Sequence, residues 1–211
     1  MKDNVDYRLY LVTDEQLKST ETIEQAVEQA IQGGVTTVQL REKKIGSLDF
    51  YEKALRVQKM TQTANIPLII NDRVDIALAI EAQGVHVGQS DLPVKKVREL
   101  LGRKKVLGVS VHTVAQAIKA EKDGADYLGV GTMYPTATKT DTVSVSFETL
   151  KEIRQAVKVP IVVIGGINQE RISDFSGIDI QGFAVVSSIL AHDNIEQASA
   201  ELLRTIENRN V

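Results

Sequence analysis

The sequence of 211 residues predicts a closed (β/α)8 barrel, in which eight parallel strands are surrounded by helices. Short aliphatic runs alternate with amphipathic segments along the chain, and this alternation favours a parallel sheet because each crossover needs a helix. Most of the runs are apolar without a break, which is typical of strands buried on both faces. No Pro/Gly-rich linker divides the chain, so we expect one catalytic domain over residues 1–211. A doubly wound open sheet is the alternative.

The composition excludes several classes of function. The chain has no cysteine, hence no disulfide frame, thiolate nucleophile or cysteine-based metal site. Its net charge of −3 gives no general field that favours nucleic acid or an anionic membrane. We see neither a signal peptide nor a membrane-spanning apolar run, and we expect a cytoplasmic protein with small-molecule partners, a homo-oligomer being left open. The aromatic share of only 4% predicts an aliphatic core.

The predicted elements derive from local pattern. In chain order, the eight strands are Leu9–Val12, Thr36–Leu40, Pro67–Ile70, Val85–Val87, Val106–Val109, Tyr127–Val130, Ile161–Ile164 and Phe183–Val186. Residues typical of helix N-termini begin four of the intervening helices: Thr22 with Gln25, Thr113 with Gln116, Asn168, and Asp193-Asn194. Glycines end two of them, at Gly33-Gly34 and at Gly124.

Polar residues come after the strands, and strand ends share one rim of a parallel barrel. Gln39, Arg41 and Lys43 occupy alternate positions, so they point the same way at the end of the second strand. Two cations and an amide directed into one cavity suit a diphosphate. A surface charge cluster at a strand end is the alternative.

Asp72 and Asp91 offer carboxylate oxygens at the ends of neighbouring strands, with Asn71 beside them. Mg²⁺ prefers such a sparse set of hard oxygen ligands and keeps positions for water and a ligand phosphate. Either aspartate is also suited to capping the next helix in the chain, and the two roles are compatible.

Three further segments indicate phosphate binding. Gly165-Gly166-Ile167 and Ser187-Ser188 come after the last two strands, where barrels commonly hold a phosphate. The connection Thr132–Val145 is long for so short a chain and is typical of a binding loop. It carries Thr136, Thr138 and Lys139, whose hydroxyls and charge suit a phosphate, a solvated polar loop being the alternative.

The histidines do not form a metal site by spacing. His86, His112 and His192 are scattered along the chain. His86 lies within a predicted strand and is interpreted as structural, whereas His112 comes after Ser110 at the active rim. Neither a Ser-His-Asp arrangement nor a dinucleotide fingerprint is evident.

Seven motifs, in order, resemble the thiamine phosphate synthase family over about Leu9 to Leu190. They are Gln39-Leu40-Arg41-Glu42-Lys43, Ile70-Asn71-Asp72-Arg73, Gly84-Val85-His86-Val87-Gly88-Gln89-Ser90-Asp91-Leu92-Pro93, Gly108-Val109-Ser110, Pro135-Thr136-Ala137-Thr138-Lys139, Gly165-Gly166-Ile167 and Val186-Ser187-Ser188. One such motif is weak, but the ordered set is specific. Ser90 departs from the pattern, since an acidic residue is often found there.

The resemblance implies a (β/α)8 fold and a reaction that joins hydroxymethylpyrimidine diphosphate to thiazole phosphate, carboxylated or not. It implies substrate contacts along the whole stretch from Gln39 through Leu40 and Glu42 to Lys43. The implied roles are diphosphate binding by Gln39, Arg41, Lys43, Ser110 and Lys139, pyrimidine contact by Asn71, Mg²⁺ binding by Asp72 and Asp91, and thiazole phosphate binding by Thr136, Ala137, Thr138, Gly166, Ser187 and Ser188.

The resemblance also implies a dissociative mechanism, in which diphosphate leaves a pyrimidine-stabilised cation. Arg41, Lys43, Ser110 and Lys139 are then the catalytic set, because charge builds on the leaving group. The alternatives are a thiazole tautomerase-like isomerase or regulator that binds thiazole phosphate, a sugar-phosphate isomerase on a similar barrel, and a non-enzymatic regulator. The diphosphate and metal residues favour the synthase over the first, and the Thr136–Lys139 element over the second.

Overall fold

The computed structural model describes residues 5–135 and 144–209, which form a closed barrel of eight parallel strands in the order β1 to β8. The strands are β1 Leu9–Val12, β2 Thr37–Leu40, β3 Leu68–Asn71, β4 Gly84–Val87, β5 Val106–Val111, β6 Tyr127–Val130, β7 Ile161–Ile164 and β8 Gly182–Val185. β8 pairs with β1, with Phe183 opposite Leu9, and this pairing closes the sheet. The predicted barrel is confirmed, and the alternative of an open sheet is wrong.

Helices cover the outside of the barrel. They are α1 Ile23–Gln32, α2 Ser47–Thr63, α3 Val74–Ala79, α4 Val94–Leu101, α5 Val114–Lys122, α6 Phe147–Ala156, α7 Ser187–Leu190 and α8 Ile195–Asn208, with a 3-10 helix at Ile172–Phe175. α1 begins at the predicted capping box, in which the Thr22 hydroxyl accepts the Gln25 N–H and the Gln25 side chain accepts the Thr22 N–H. Among the described residues, no helix has the length and apolar content needed to cross a bilayer.

Two predicted helix starts differ in detail. Thr113 caps α5 through the Gln116 N–H, but the Gln116 side chain accepts the His112 N–H instead of closing a full capping box. Asn168 accepts the Arg171 N–H at 3.0 Å, and the element after it is the 3-10 helix rather than an α-helix.

The protein has two apolar layers of different composition. The layer between the strands and the helices is mainly aliphatic, as predicted. The layer inside the barrel consists of Tyr7, Tyr10, Val12, Ile69, Val106, Tyr127, Val162 and Ala184. The expectation of an aliphatic core is therefore wrong for the barrel interior, where three of the five tyrosines pack together.

Two glycines make room for rings inside the barrel. A Cβ at Gly108, opposite Tyr127 in the β5–β6 pairing, would lie 2.2 Å from the Tyr127 ring. A Cβ at Gly129 would lie 2.9 Å from Cε1 of His86. Real Cβ atoms do not approach so closely, so the small residues at these inward positions allow Tyr127 and His86 to occupy the interior.

Candidate active site

A cavity opens at the carboxyl ends of the strands, and residues from every strand or the turn after it line its wall. Six of the predicted substrate-binding residues are among them: Gln39, Arg41, Asn71, Ser110, Gly166 and Ser187. They are distant in sequence, and the parallel order of the strands brings them to one end of the barrel.

Arg41 lies at the mouth of this cavity and lines it, whereas Lys43 lies beside the lining residues and pairs with Asp72, the residue after Asn71. Arg41 Nη1 is 3.0 Å from Asp14 Oδ2, and both side chains are largely shielded. Lys43 Nζ forms an ion pair with Asp72 and is about half exposed. Asp14, which comes after β1, is a site residue that the sequence reasoning missed.

Gln39 lies deeper than these cations. Its side chain is buried in the barrel, where Nε2 donates to the Tyr10 hydroxyl at 2.8 Å. The neighbours Leu40 and Glu42 turn the other way: Leu40 is fully buried in the outer layer, and Glu42 Oε1 is 2.5 Å from Lys53 Nζ. Their side chains are thus directed away from the cavity.

Asp72 and Asp91 form a carboxylate pair beside the mouth. Asp72 adopts a φ of 60°, which is unusual for a residue with a side chain and costly unless its surroundings enforce it. Its N–H donates to the His86 carbonyl at 2.8 Å. Asp91 Oδ2 accepts the Gly88 N–H at 2.7 Å. Burial, together with the neighbouring Asp72, raises the pKa of Asp91.

The pair does not serve as helix caps. The N-cap residues of α3 and α4 are Arg73 and Pro93, and neither cap makes a side-chain hydrogen bond. The capping alternative is therefore wrong for both aspartates. A carboxylate pair in which Asp72 makes Asp91 harder to ionise suits a divalent cation. In the described part of the chain there is no group of three or more potential metal-binding side chains, so the fit is to a sparse set of ligands.

Asn71 stands between the mouth and the interior. Its side chain is 8% exposed, and Nδ2 has no hydrogen-bond partner among the described residues. A buried amide N–H without an acceptor is costly in free energy. A bound molecule that accepts a hydrogen bond from it removes this cost and binds more tightly.

Below the mouth, hydrogen-bonded side chains cross the barrel. The Tyr10 hydroxyl is 2.7 Å from the Tyr127 hydroxyl, and the Tyr127 hydroxyl is 2.9 Å from His86 Nδ1. His86 Nε2 is 2.8 Å from the Ser110 hydroxyl. Neither tyrosine was predicted as a site residue and His86 was interpreted as structural, yet all three line the cavity.

The turn after β7 contacts the start of α7. Gly165 and Gly166 have φ values of 101° and 62°, which favour glycine. A Cβ at Gly166 would also lie 2.8 Å from Tyr134 Cβ. Ser188 Oγ donates to the Ile167 carbonyl at 2.5 Å, so two of the segments predicted to bind phosphate meet in space.

The predicted binding loop begins and ends beside this turn. Val145 N–H donates to the Thr132 carbonyl at 2.9 Å, and Tyr134 N–H donates to the Gly165 carbonyl at 3.1 Å. Thr136, Ala137, Thr138 and Lys139 lie outside the described residues, so their predicted roles stay predictions. His112 also belongs to the cavity, with Nδ1 donating to the Gly131 carbonyl at 2.5 Å.

The closed parallel barrel and the polar cavity at the carboxyl ends of its strands define an enzyme of the (β/α)8-barrel class. The family model described as thiamine monophosphate synthase matches residues 9–189. The chain belongs to this family and is a transferase of thiamine biosynthesis.

Individual relatives support the same family assignment. The thiamine-phosphate synthase of Clostridium botulinum is 58% identical over 210 residues, covering 100% of this chain and 99% of the relative. That of Clostridium beijerinckii is 59% identical and covers 96% and 97%. The solved structure of thiamine phosphate pyrophosphorylase from Pyrococcus furiosus aligns with a TM-score of 0.90 at 33% identity, covering 97% of this chain and 98% of that chain.

Proposed function

We propose that the protein condenses hydroxymethylpyrimidine diphosphate with thiazole phosphate, carboxylated or not, to give thiamine phosphate and diphosphate. The observation that carries this proposal is the convergence of two cations and a carboxylate pair around one mouth, above a polar interior. A tautomerase-like or regulatory protein that binds only thiazole phosphate has no need of this mouth. We also propose that residues 1–211 act as one catalytic domain, and that it works in the cytoplasm.

The diphosphate is proposed to bind at the mouth. Arg41 and Lys43 now face Asp14 and Asp72, so a bound diphosphate would compete with these carboxylates for the two cations. Arg41 contributes a planar pair of donors and Lys43 a compact charge. Lys139 is proposed to add a third cation from the binding loop.

Mg²⁺ is proposed to bind at Asp72 and Asp91, with positions left for water and for phosphate oxygens. The raised pKa of Asp91 supports this assignment, because a divalent cation would remove the repulsion between the two carboxylates. When bound, the ion neutralises charge on the departing diphosphate.

The pyrimidine is proposed to enter the barrel, next to the unpartnered amide of Asn71. Gln39 and Ser110 lie inside the barrel as well, so in this proposal they contact the pyrimidine diphosphate from below, while Arg41 and Lys43 hold it from above. Leu40 and Glu42 are proposed to contribute backbone contacts only, because their side chains are directed away from the cavity.

The phosphate of the thiazole is proposed to bind on the opposite rim. Gly166 leaves the backbone accessible there, and Ser187 and Ser188 begin α7 beside it. Backbone N–H groups in such a turn are suited to phosphate oxygens. Thr136, Ala137 and Thr138 are proposed to complete the site.

The reaction requires little general acid or base catalysis from the protein. The bond from the pyrimidine methylene carbon to the diphosphate oxygen breaks, and the electron pair leaves with diphosphate. The thiazole nitrogen then donates its lone pair to the methylene cation. Arg41, Lys43 and Lys139 stabilise the charge that grows on the leaving group, and Ser110 donates a hydrogen bond to the pyrimidine from inside the barrel. Exclusion of water from the cavity protects the cation.

The direct test is a coupling assay with purified protein, both substrates and Mg²⁺. We expect thiamine phosphate and diphosphate in equal amounts, and no thiamine phosphate when either substrate is left out. Chelation of the metal should stop the reaction, and added Mg²⁺ should restore it. Absence of product at every Mg²⁺ concentration would overturn the proposal.

A variant of Lys43 supplies a matched comparison. Lys43 and Lys119 are both exposed lysines paired with an aspartate. Lys119 lies on α5 and pairs with Asp123, and neither of these two residues lines the cavity. We expect Lys43→Ala to lower the coupling rate and Lys119→Ala to leave it unchanged. Equal rates for the two variants would contradict the proposed role of Lys43 in binding the diphosphate.

A further inference from the structure

The hydrogen-bonded side chains that cross the barrel interior are hereafter called the relay: Gln39, Tyr10, Tyr127, His86 and Ser110. We propose that Tyr10, Tyr127 and His86 are positioning residues, which make Gln39 present a carbonyl acceptor and Ser110 a hydroxyl donor to the ring of the bound substrate. The identity of that ring rests on the function proposed above, whereas the direction of the relay rests on its own contacts.

The relay is continuous, and its central members are shielded from water. Its four contacts measure 2.8, 2.7, 2.9 and 2.8 Å from Gln39 to Ser110, all within ordinary hydrogen-bond distance. Tyr10 and Tyr127 are fully buried and His86 is 8% exposed. The members come from five different strands, so the relay ties together most of the barrel.

Each proton of the relay can be assigned in turn from the Gln39 end. The Gln39 amide donates to the Tyr10 oxygen, so the hydroxyl proton of Tyr10 is directed to Tyr127. The hydroxyl proton of Tyr127 then goes to His86 Nδ1. The ring of His86 therefore carries its proton on Nε2 and donates it to the Ser110 oxygen. The hydroxyl proton of Ser110 remains for the cavity.

The opposite direction is disfavoured by the Gln39 end. If Tyr127 donated to Tyr10, the Tyr10 oxygen would accept twice, and its own proton would have no acceptor among the described residues. A buried hydroxyl proton without an acceptor destabilises the folded state. Ionised phenols do not resolve the conflict, because burial raises the pKa of both Tyr10 and Tyr127.

The direction of the relay decides what the cavity recognises. The interior offers the free carbonyl of Gln39 as acceptor, and the hydroxyl of Ser110 and the amide N–H of Asn71 as donors. An aromatic ring with an amino group beside a ring nitrogen complements this set, because it donates once and accepts beside the donor. With the protons assigned in this way the His86 ring is neutral, so the negative charge of the diphosphate is balanced by the cations at the mouth.

The tautomers of two histidines test the direction without any activity measurement. A carbonyl oxygen can only accept, so His112 must carry its proton on Nδ1, which contacts Gly131. The relay requires the other tautomer, with the proton on Nε2, for His86. Long-range nitrogen–proton NMR spectra of the full chain, with signals assigned from His86→Gln and His112→Gln, should show the two rings in opposite tautomers. A His86 ring protonated on Nδ1, or on both nitrogens, would overturn the relay.

Kinetics test whether the relay acts through Ser110. Tyr127→Phe removes one hydroxyl of the relay, and Tyr7→Phe removes a hydroxyl from a ring 4.7 Å away in the same layer but outside the relay. We expect Tyr127→Phe to lower kcat/KM for the pyrimidine diphosphate by about tenfold, the size of one positioned hydrogen bond. KM for thiazole phosphate should not change, and Tyr7→Phe should match the unaltered protein.

A double variant separates positioning from packing. If Tyr127 acts through Ser110, then Tyr127→Phe combined with Ser110→Ala should be no slower than Ser110→Ala alone. Independent losses that multiply, or equal rates for Tyr127→Phe and Tyr7→Phe, would contradict the relay. An inactive unaltered protein would instead refute the proposed function, and the histidine tautomers would still decide the relay.

Discussion

The mouth and the interior of the barrel hold polar groups in opposite ways. At the mouth, Arg41 and Lys43 are charged, partly exposed and paired with carboxylates that a ligand can replace. In the interior, the side chains of the relay are mostly buried and are hydrogen-bonded from end to end. Exposed ion pairs contribute little to stability, whereas buried hydrogen bonds are costly to break. Substitutions at the mouth should therefore impair catalysis, and substitutions in the interior should impair stability or recognition.

The largest effect is expected from the carboxylate pair. Asp91→Ala removes one proposed ligand of Mg²⁺, and we expect turnover to fall on the order of 10³-fold, as when a group that stabilises the transition state is lost. The thermal midpoint should hardly change, because Asp91 lies outside both apolar layers. Coupling rates across a Mg²⁺ titration, with a thermal melt of the same sample, measure both. Unaltered turnover in Asp91→Ala would contradict the proposal that Mg²⁺ binds at this site.

The next effect concerns the binding loop. Lys139→Ala removes one cation opposite the developing charge, and the rate should fall on the order of 10²-fold. Lys122→Ala, at the end of α5, is the control and should not alter the rate. Single-turnover release of diphosphate measures the step directly. A near-normal rate for Lys139→Ala would mean that this lysine is only solvated.

In the interior, the expected loss is in stability. Gly108→Ala places a methyl group 2.2 Å from the Tyr127 ring, and overpacking of this kind costs about 1–3 kcal/mol. At Gly46 the same methyl would contact only Asp49, at 3.8 Å, so Gly46→Ala is the control with the smaller loss. Urea unfolding of both variants gives the free energies. If Gly108→Ala were as stable as Gly46→Ala, the ring would not be fixed as described.

The smallest expected change is in the free energy of unfolding of Asp72→Gly. Asp72 has a φ of 60°, which glycine adopts without strain, while Asp72→Gly also removes the Lys43 ion pair. These changes oppose one another, so we expect the free energy of unfolding to stay within about 1 kcal/mol. The Mg²⁺ dependence of coupling should nevertheless be lost. A strongly destabilised Asp72→Gly would show that this residue supports the fold rather than the metal.

Much of the fold was predictable because local signals agreed with it. The eight aliphatic runs became strands within two residues of the predicted ends, and Thr22 and Gln25 formed the expected capping box. The convergence of Arg41, Asn71, Ser110 and Gly166 was also predictable, because parallel strands bring their carboxyl ends to one rim. The helix caps proposed for Asp72 and Asp91 were wrong, since the N-cap positions of the adjacent helices lie one and two residues later.

The interior was not predictable for a specific reason. In a strand such as Leu9–Val12 every residue is buried, so the polar–apolar alternation that marks an inward face is missing. Nothing in the sequence then distinguished Tyr10, which points into the barrel, from Leu9 and Leu11, which pack under the helices.

The sequence by itself determined the class of fold, the order of the elements and the rim residues, because these depend on periodicity, capping and the end of each strand. Only the tertiary structure decided that Gln39 lies below Arg41, that Asp72 faces Asp91, and that the relay joins Tyr10 to Ser110. Those relations depend on the register between strands that are distant in the chain and on which face of a fully buried strand turns inward. Neither leaves a trace in local composition.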